Sequence, residues 1–94
     1  MRENDLTFTG VVLKDENAFA SLCLELDIAS QGETVMEAKN ALAEATALYL
    51  ETAIENNLSY LRPVPREDDP RYTLPSEIIE TFPLRVNIKV RAYA

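Results

Sequence analysis

The sequence contains no histidine and no tryptophan, one cysteine and only two glycines among its 94 residues. Without histidine, the chain lacks the side chain that most often serves as a general base or a metal ligand. No glycine-rich phosphate loop is present, and a single cysteine excludes an intramolecular disulfide. These absences predict a protein that is not an enzyme, with no catalytic residue, no cofactor and no bound metal.

Long apolar runs are also missing, since no stretch approaches the ~20 apolar residues that a membrane helix requires. The first five residues are charged or polar apart from Met1, and no apolar run of a secretory signal follows them. Cys23 lies within the apolar stretch 20–24, which is typical of a small buried side chain. We therefore expect a cytoplasmic protein that does not enter a membrane.

The charges that are present are mostly acidic, and they give a formal net charge of −7 at pH 7. The excess lies in residues 1–61, which hold eleven acids and three bases, whereas residues 62–94 hold five acids and six bases. Because nucleic-acid affinity depends on a cationic surface, we expect no direct nucleic-acid binding and a basic protein as partner. A chain of this length has room for one modest core, which suggests a homo-oligomer.

Three strands are predicted before the longest helix. Residues 6–14 are rich in β-branched and aromatic side chains, and a polar turn at 15–17 joins them to a second strand at 18–26. A short third strand at 27–32 ends at Gly32, where a positive φ would let the chain turn.

Thr34 and Glu37 then form a capping-box pattern that opens a helix over residues 35–56. Its apolar positions recur at steps of three and four, with flanking rows beside them, and its opposite side is polar. The predicted core stripe is Ala38, Leu42, Ala45, Tyr49 and Ala53, the flanking rows hold Ala41, Leu48, Leu50 and Ile54, and the polar side carries Glu37, Asn40, Glu44, Glu51 and Glu55.

Residues 62–75 hold four of the five prolines and are predicted to form a loop that continues neither helix nor central strand. Such a loop is either an interaction arm or disordered. A helical turn capped by Ser76 is expected over 76–81, and strict alternation over 84–93 predicts a final strand. The chain is thus read as one α+β domain, residues 1–94, with an antiparallel β-β-β-α-loop-β sheet, one long helix on one face and a core in 6–56.

The stretch 11–56 resembles the HicB family of antitoxins. In that family a strand ends in the motif leucine–x–x–x–x–x–glycine, and the next helix begins with threonine–x–x–glutamate–alanine. In this sequence the two motifs fall on Leu26, Gly32, Thr34, Glu37 and Ala38. The resemblance implies a partial ribonuclease-H-like fold and a function in neutralising HicA-type toxins, which are small basic RNA-cleaving proteins. Many members carry a DNA-binding domain after this core, whereas here only the loop and the last strand follow it. This departure from the family leads us to expect no appended DNA-binding domain and no autoregulatory operator binding.

The acids leave several interpretations open. Glu25, Asp27, Glu44, Glu51 and Glu55 are the candidates for contacting a basic partner, although such acids often serve solubility alone. Glu25, Asp27 and Glu37 are also the only closely grouped carboxylates for metal-dependent catalysis; as alternatives they are surface acids and a helix cap. Gly32, Thr34, Glu37 and Ala38 are expected to be structural. A toxin-binding antitoxin and an orphan homo-oligomer of the same fold remain the two main hypotheses, with edge-strand pairing as the expected mode of assembly.

Overall fold

A computed structural model describes residues 2–90, and the side chains of residues 5–89. Four strands form one antiparallel sheet in the order β3-β2-β1-β4, and one long helix packs against it. The strands are β1 (Arg2–Asp15), β2 (Ala18–Cys23), β3 (Ile28–Gly32) and β4 (Ile78–Val90), and the helix α1 spans Val35–Glu55. The predicted α+β class, with an antiparallel sheet and a helix on one face, is confirmed.

The first two strands form the predicted hairpin, with Asp15 opposite Ala18 and a two-residue turn at Glu16 and Asn17. Glu16 has a positive φ of 50°. The second strand is shorter than expected and ends at Cys23, because the chain turns there and the amide of Asp27 donates to the Cys23 carbonyl at 3.0 Å.

Gly32 ends β3 as predicted, but the reason given for a glycine there is wrong, since neither glycine has a positive φ. A Cβ atom at position 32 would lie 2.5 Å from the amide nitrogen of Ala38 and 2.7 Å from the Cβ of Glu37. The glycine is therefore required by the close approach of β3 to the first turn of α1.

Helix α1 begins as the capping pattern predicts, because the amide of Glu37 donates to Thr34 Oγ1 at 3.0 Å. The carboxylate of Glu37 accepts from the amide of Glu33 at 2.9 Å, one residue before the cap itself. At the other end Asn57 has a φ of 55°, and the amide of Leu58 donates to the Ala53 carbonyl at 2.8 Å. This left-handed residue and backward bond end the helix where the asparagines indicated.

The buried side of α1 differs in part from the predicted stripe. Its buried residues are Ala38, Leu42, Thr46, Leu50 and Ala53. Ala45 and Tyr49, assigned to the core stripe, are only half-buried, and Leu48 is 67% exposed. The buried positions from Ala38 to Leu50 are four residues apart, and Thr46 is one of them. A pattern based on hydrophobicity alone does not predict a buried threonine.

The proline-rich segment connects α1 to β4 and continues neither, as predicted, but part of it is regular. It contains a 3₁₀ turn at Arg66–Asp68, the short helix α2 at Pro70–Thr73 and a second 3₁₀ turn at Pro75–Glu77. Proline at a first helical position loses no hydrogen bond, so Pro70 starts α2, and the carboxylate of Asp69 accepts from the amide of Arg71 at 2.9 Å. Ser76 caps nothing, and β4 already begins at Ile78.

The final strand is longer than expected at its N-terminal end. Leu84, Val86 and Ile88 are buried as the alternation predicts, and Arg85 and Lys89 are exposed. Phe82 adds one more buried position to the same face. The predicted residues 91–93 lie outside the described part of the chain.

The core lies between the sheet and α1 and is formed by Val12, Cys23, Leu26, Leu42, Leu50, Phe82, Leu84, Val86 and Ile88. On the other face of the sheet, Val11 is buried, and Leu74 and Glu77 lie beside Leu13 and Ala20 near the β1–β2 turn. At the opposite end of β2, the amides of Arg62 and Val64 donate to the carbonyls of Glu25 and Leu24 at 3.0 and 2.8 Å. Within the described residues, no helix has the length and apolar character needed to span a bilayer.

Candidate functional site

The outer edge of β4 offers backbone groups that no strand within residues 2–90 pairs with, because β4 is last in the sheet order. The amide of Lys89 donates to a carboxylate oxygen of Glu51 on α1 at 2.9 Å, so it faces away from β1. Backbone groups alternate in direction along a strand, and the register to β1 is regular from Glu80 to Val90. The amides of Asn87 and Arg85 therefore face outward as well.

Two features limit how much of this edge is open. Position 83 also faces outward, and Pro83 has no amide proton to donate. At the far end, Glu51 occupies the outward amide of Lys89. Edge strands are commonly blunted by proline and by side chains that cover backbone groups. The open stretch is centred on Arg85 and Asn87, and the Asn87 side chain is held by Asp5 at 2.8 Å.

Three of the predicted contact residues lie on one side of α1, and one of them, Glu51, reaches this edge. Glu44, Glu51 and Glu55 are seven and four residues apart, which places them on one side of an α-helix. Glu44 and Glu55 are exposed, and Glu51 is half-buried where it reaches the amide of Lys89. We call these three glutamates the acidic row; one of them, Glu51, contacts the outer edge of β4 through the amide of Lys89.

Glu25 lies away from the acidic row, and its carboxylate is already hydrogen-bonded to another residue of the chain. Its two carboxylate oxygens accept from the amide and the hydroxyl of Thr9, each at 2.8 Å. Thr9 alternates with the core-facing Phe8, so this contact lies on the face of the sheet opposite to α1. Glu25 therefore ties the end of the hairpin together, a role that its sequence neighbours did not indicate.

Asp27 and Glu37 also have local roles. Asp27 is exposed with a φ of 53°, a conformation that asparagine and aspartate adopt more readily than most residues. Glu37 is bound to the amide of Glu33. No three carboxylate or thiol groups in the described part of the chain come together as a metal site would require. The structure thus does not bring Glu25, Asp27 and Glu37 into one catalytic cluster.

The sequence interpretation did not predict the ion pair between Asp69 and Arg71. Asp69 is buried, and its carboxylate accepts from Nη2 of Arg71 at 2.8 Å and from its Nε at 3.2 Å. The hydrogen bond from Arg71 holds the pKa of Asp69 below its usual range, against the opposing effect of burial. The aspartate-proline pair at 69–70 was the available signal, since it is a typical helix start.

An apolar hollow beside the acidic row was also missed. It lies between α1 and the chain that follows it, and Leu48 on the helix and Leu58 after it form part of its wall. Leu48 had been assigned to a flanking row of the core, whereas its position one turn from Glu44 places it near the polar side.

Comparison of the chain with protein-family models, with curated proteins and with solved structures found no match. The resemblance to a partial ribonuclease-H-like fold and to the HicB family therefore stays a prediction from the residues quoted above.

Proposed function

We propose that this chain is a cytoplasmic HicB-like antitoxin-type protein, which binds and neutralises a small basic RNA-cleaving toxin of the HicA type without chemistry of its own. The observation that carries the proposal is the open edge of β4, together with the acidic row Glu44, Glu51 and Glu55 on α1, of which Glu51 reaches the edge. A free strand edge supports pairing with a partner strand, and the acids support a partner of opposite charge.

The two parts of this surface act differently. Outward amides and carbonyls at Arg85 and Asn87 form main-chain hydrogen bonds with a toxin strand, which slows dissociation. The acidic row raises the association rate by long-range attraction, and salt weakens this effect because ions screen exposed charges. Binding in this mode covers the cationic surface that a toxin needs for RNA.

Self-pairing through the same edge is the alternative, in which the chain is an orphan homo-oligomer without a toxin. A second copy would bring its own acidic row against the first, and like charges across an interface oppose association. Salt therefore separates the two functions: it weakens a complex with a basic toxin and strengthens β4-to-β4 pairing. Light scattering of the purified protein at low and high salt measures the second effect directly.

The deciding experiment is co-expression with the small basic protein encoded beside this chain, followed by co-purification and a growth-arrest assay. We expect a complex at about 0.05 M salt that weakens at about 0.5 M salt, and relief of toxin-induced growth arrest. Absence of both would remove the antitoxin proposal and favour the orphan oligomer.

Paired variants test the edge itself. Arg85→Pro removes one outward amide without removing a bond to β1, whereas Arg85→Ala removes the same charge and keeps the amide. We expect Arg85→Pro to lose binding and Arg85→Ala to retain it, with circular dichroism confirming that both fold. Equal binding by the two variants would contradict strand pairing.

A charge-matched pair tests the acidic row. Glu44→Gln with Glu55→Gln should slow association and reduce its salt dependence, while Glu67→Gln with Asp68→Asn removes two exposed acids elsewhere and should change neither. Similar effects from both pairs would show that overall charge, and not the row, attracts the partner.

A further inference from the structure

The apolar hollow lies between α1 and the chain that follows it. It has a volume of about 450 Å³ and is lined by Ala45, Leu48, Tyr49, Thr52, Ala53, Leu58 and Ser59. Leu48 and Leu58 are 67% and 59% exposed, although leucines of a small domain are usually buried. Two large apolar side chains therefore face water across one depression.

The walls of the hollow are held in place by the fold. The amide of Leu58 donates to the Ala53 carbonyl at 2.8 Å, which turns the chain back along α1. The hydroxyl of Tyr49 donates to the Tyr60 carbonyl at 3.0 Å and fixes the ring beside it. Because these contacts exist without a partner, little conformational freedom is lost when the hollow is filled.

The charged side chains in the stretch of sequence that lines the hollow are all acidic. From Asn40 to Leu61 the sequence has three acids, which form the acidic row, and no lysine or arginine. Leu48 stands between Glu44 and Glu51 in sequence, one helical turn from each. One cation, Arg62, lies over the ring of the lining residue Tyr49, 5.6 Å from its centroid.

We propose that this hollow binds the apolar face of a basic amphipathic helix, whose lysines and arginines lie over Glu44, Glu51 and Glu55. A leucine-rich face fits the two exposed leucines, and anchors spaced three and four residues apart match a groove along a helix. A second copy of this chain is a poorer occupant, because it carries a net charge of −7 and presents acids to acids.

The inference extends the proposed function, on which it depends for the basic character of the partner. Glu51 stands one helical turn from Leu48 of the hollow and also contacts the edge of β4, so one basic protein can place a strand on the edge and a helix in the hollow. Both contacts share the acidic row, but the edge is tested by Arg85→Pro and the hollow by Leu48→Ser.

The probe is a fluorescein-labelled Leu/Lys peptide about 18 residues long, a length at which a designed amphipathic helix is stable enough to bind. A scrambled peptide of the same composition and a Leu/Glu peptide of the same pattern serve as controls. Fluorescence anisotropy at low salt should show saturable binding of the Leu/Lys helix and at least about tenfold weaker binding of both controls.

Variants then locate the site. Leu48→Ser should weaken peptide binding at least about tenfold, as truncation of a central apolar anchor does. Leu74→Ser changes a leucine outside the hollow that is 52% exposed, and it should leave binding unchanged. Equal binding by the scrambled peptide, or by Leu48→Ser, would overturn the inference, as would a Leu48→Ser variant that converts an oligomer of this chain into a monomer.

Failure of this inference is distinguishable from failure of the proposed function. A toxin complex that is lost in Arg85→Pro but unchanged in Leu48→Ser retains the antitoxin function and removes the hollow as a contact. Peptide binding that depends on Leu48, with no toxin complex, retains the hollow and removes the antitoxin function.

Discussion

The ring of Phe82 lies directly over Gly10, its partner across strands β1 and β4. A Cβ atom at position 10 would lie 2.7 Å from Cε2 and 2.8 Å from Cε1 of that ring. The amine of Lys39 covers the ring at 4.6 Å from its centroid and pairs with Glu80 at 2.8 Å. The glycine thus makes room for an aromatic side chain that joins the two longest strands.

Gly10→Ala should lower the free energy of unfolding by about 1–3 kcal/mol, because the added methyl group must displace the Phe82 ring. Urea unfolding measures the loss. The double variant Gly10→Ala with Phe82→Leu should lose less unfolding free energy than the sum of the losses in the two single variants, because the smaller side chain at position 82 removes the clash. Simple additivity would show that the two residues do not interact in this way.

Thr46 is fully buried in α1, and its hydroxyl is the one buried side-chain polar atom in the described residues without a hydrogen-bond partner. Thr46→Val should therefore raise the free energy of unfolding by about 1 kcal/mol, since a buried hydroxyl without a partner is unfavourable. Thr52→Val, at an exposed position of the same helix, should change it by less than about 0.5 kcal/mol. A loss of stability in Thr46→Val would mean that the hydroxyl has a partner.

Burial raises the pKa of the Cys23 thiol from 9.0 to about 11. At about pH 8 only about one thiol in a thousand is ionised in the folded protein, so Ellman's reagent should react slowly until urea unfolds the chain. The folded protein binds the thiol proton more tightly than the unfolded chain does. The resulting contribution to the free energy of unfolding is therefore fully present below about pH 9 and is lost as the pH rises towards about 11. Cys23→Ala should lack that decline, and rapid labelling of the folded protein would contradict the prediction.

The lowered pKa of Asp69 predicts a loss of stability in acid. The hydrogen bonds from Arg71 favour the carboxylate, so their contribution is present above the ordinary aspartate pKa of 3.8 and is lost as the pH falls below it. Asp69→Asn should cost about 1 kcal/mol at about pH 6, and the difference from wild type should shrink towards about pH 3. Urea unfolding at each pH measures it. The exposed neighbour variant Asp68→Asn should show no such trend.

The elements that sequence reasoning located well are those whose causes lie within a few residues. Thr34 and Glu37 cap α1 through bonds to residues three and four positions away, and the turn after Asp15 joins neighbouring strands. The turns and the short helix within 62–77 were not predicted, because this segment is held in place by residues far away in the sequence. One of them is Leu24, whose carbonyl accepts from the amide of Val64. A high proline content predicts where a helix or strand is interrupted, but it does not predict the tertiary contacts that hold the segment.

The candidate site divides in the same way. The spacing of Glu44, Glu51 and Glu55 is enough to place them on one side of a helix, because helical periodicity is local. The engagement of Glu25 by Thr9, sixteen positions away, could not be foreseen. Neither could the exposure of Leu48, since hydrophobicity describes a side chain's preference and not the space around it.

The sequence by itself determined the α+β class, the position and cap of the long helix, the alternation of the last strand and the acidic side of α1, because each follows from short-range periodicity or charge. Only the tertiary structure decided that β4 lies at an open edge against β1, that Glu51 reaches the amide of Lys89, and that Leu48 and Leu58 border a hollow. Those relationships join residues far apart in the chain, and they form only when the whole sheet and helix pack together.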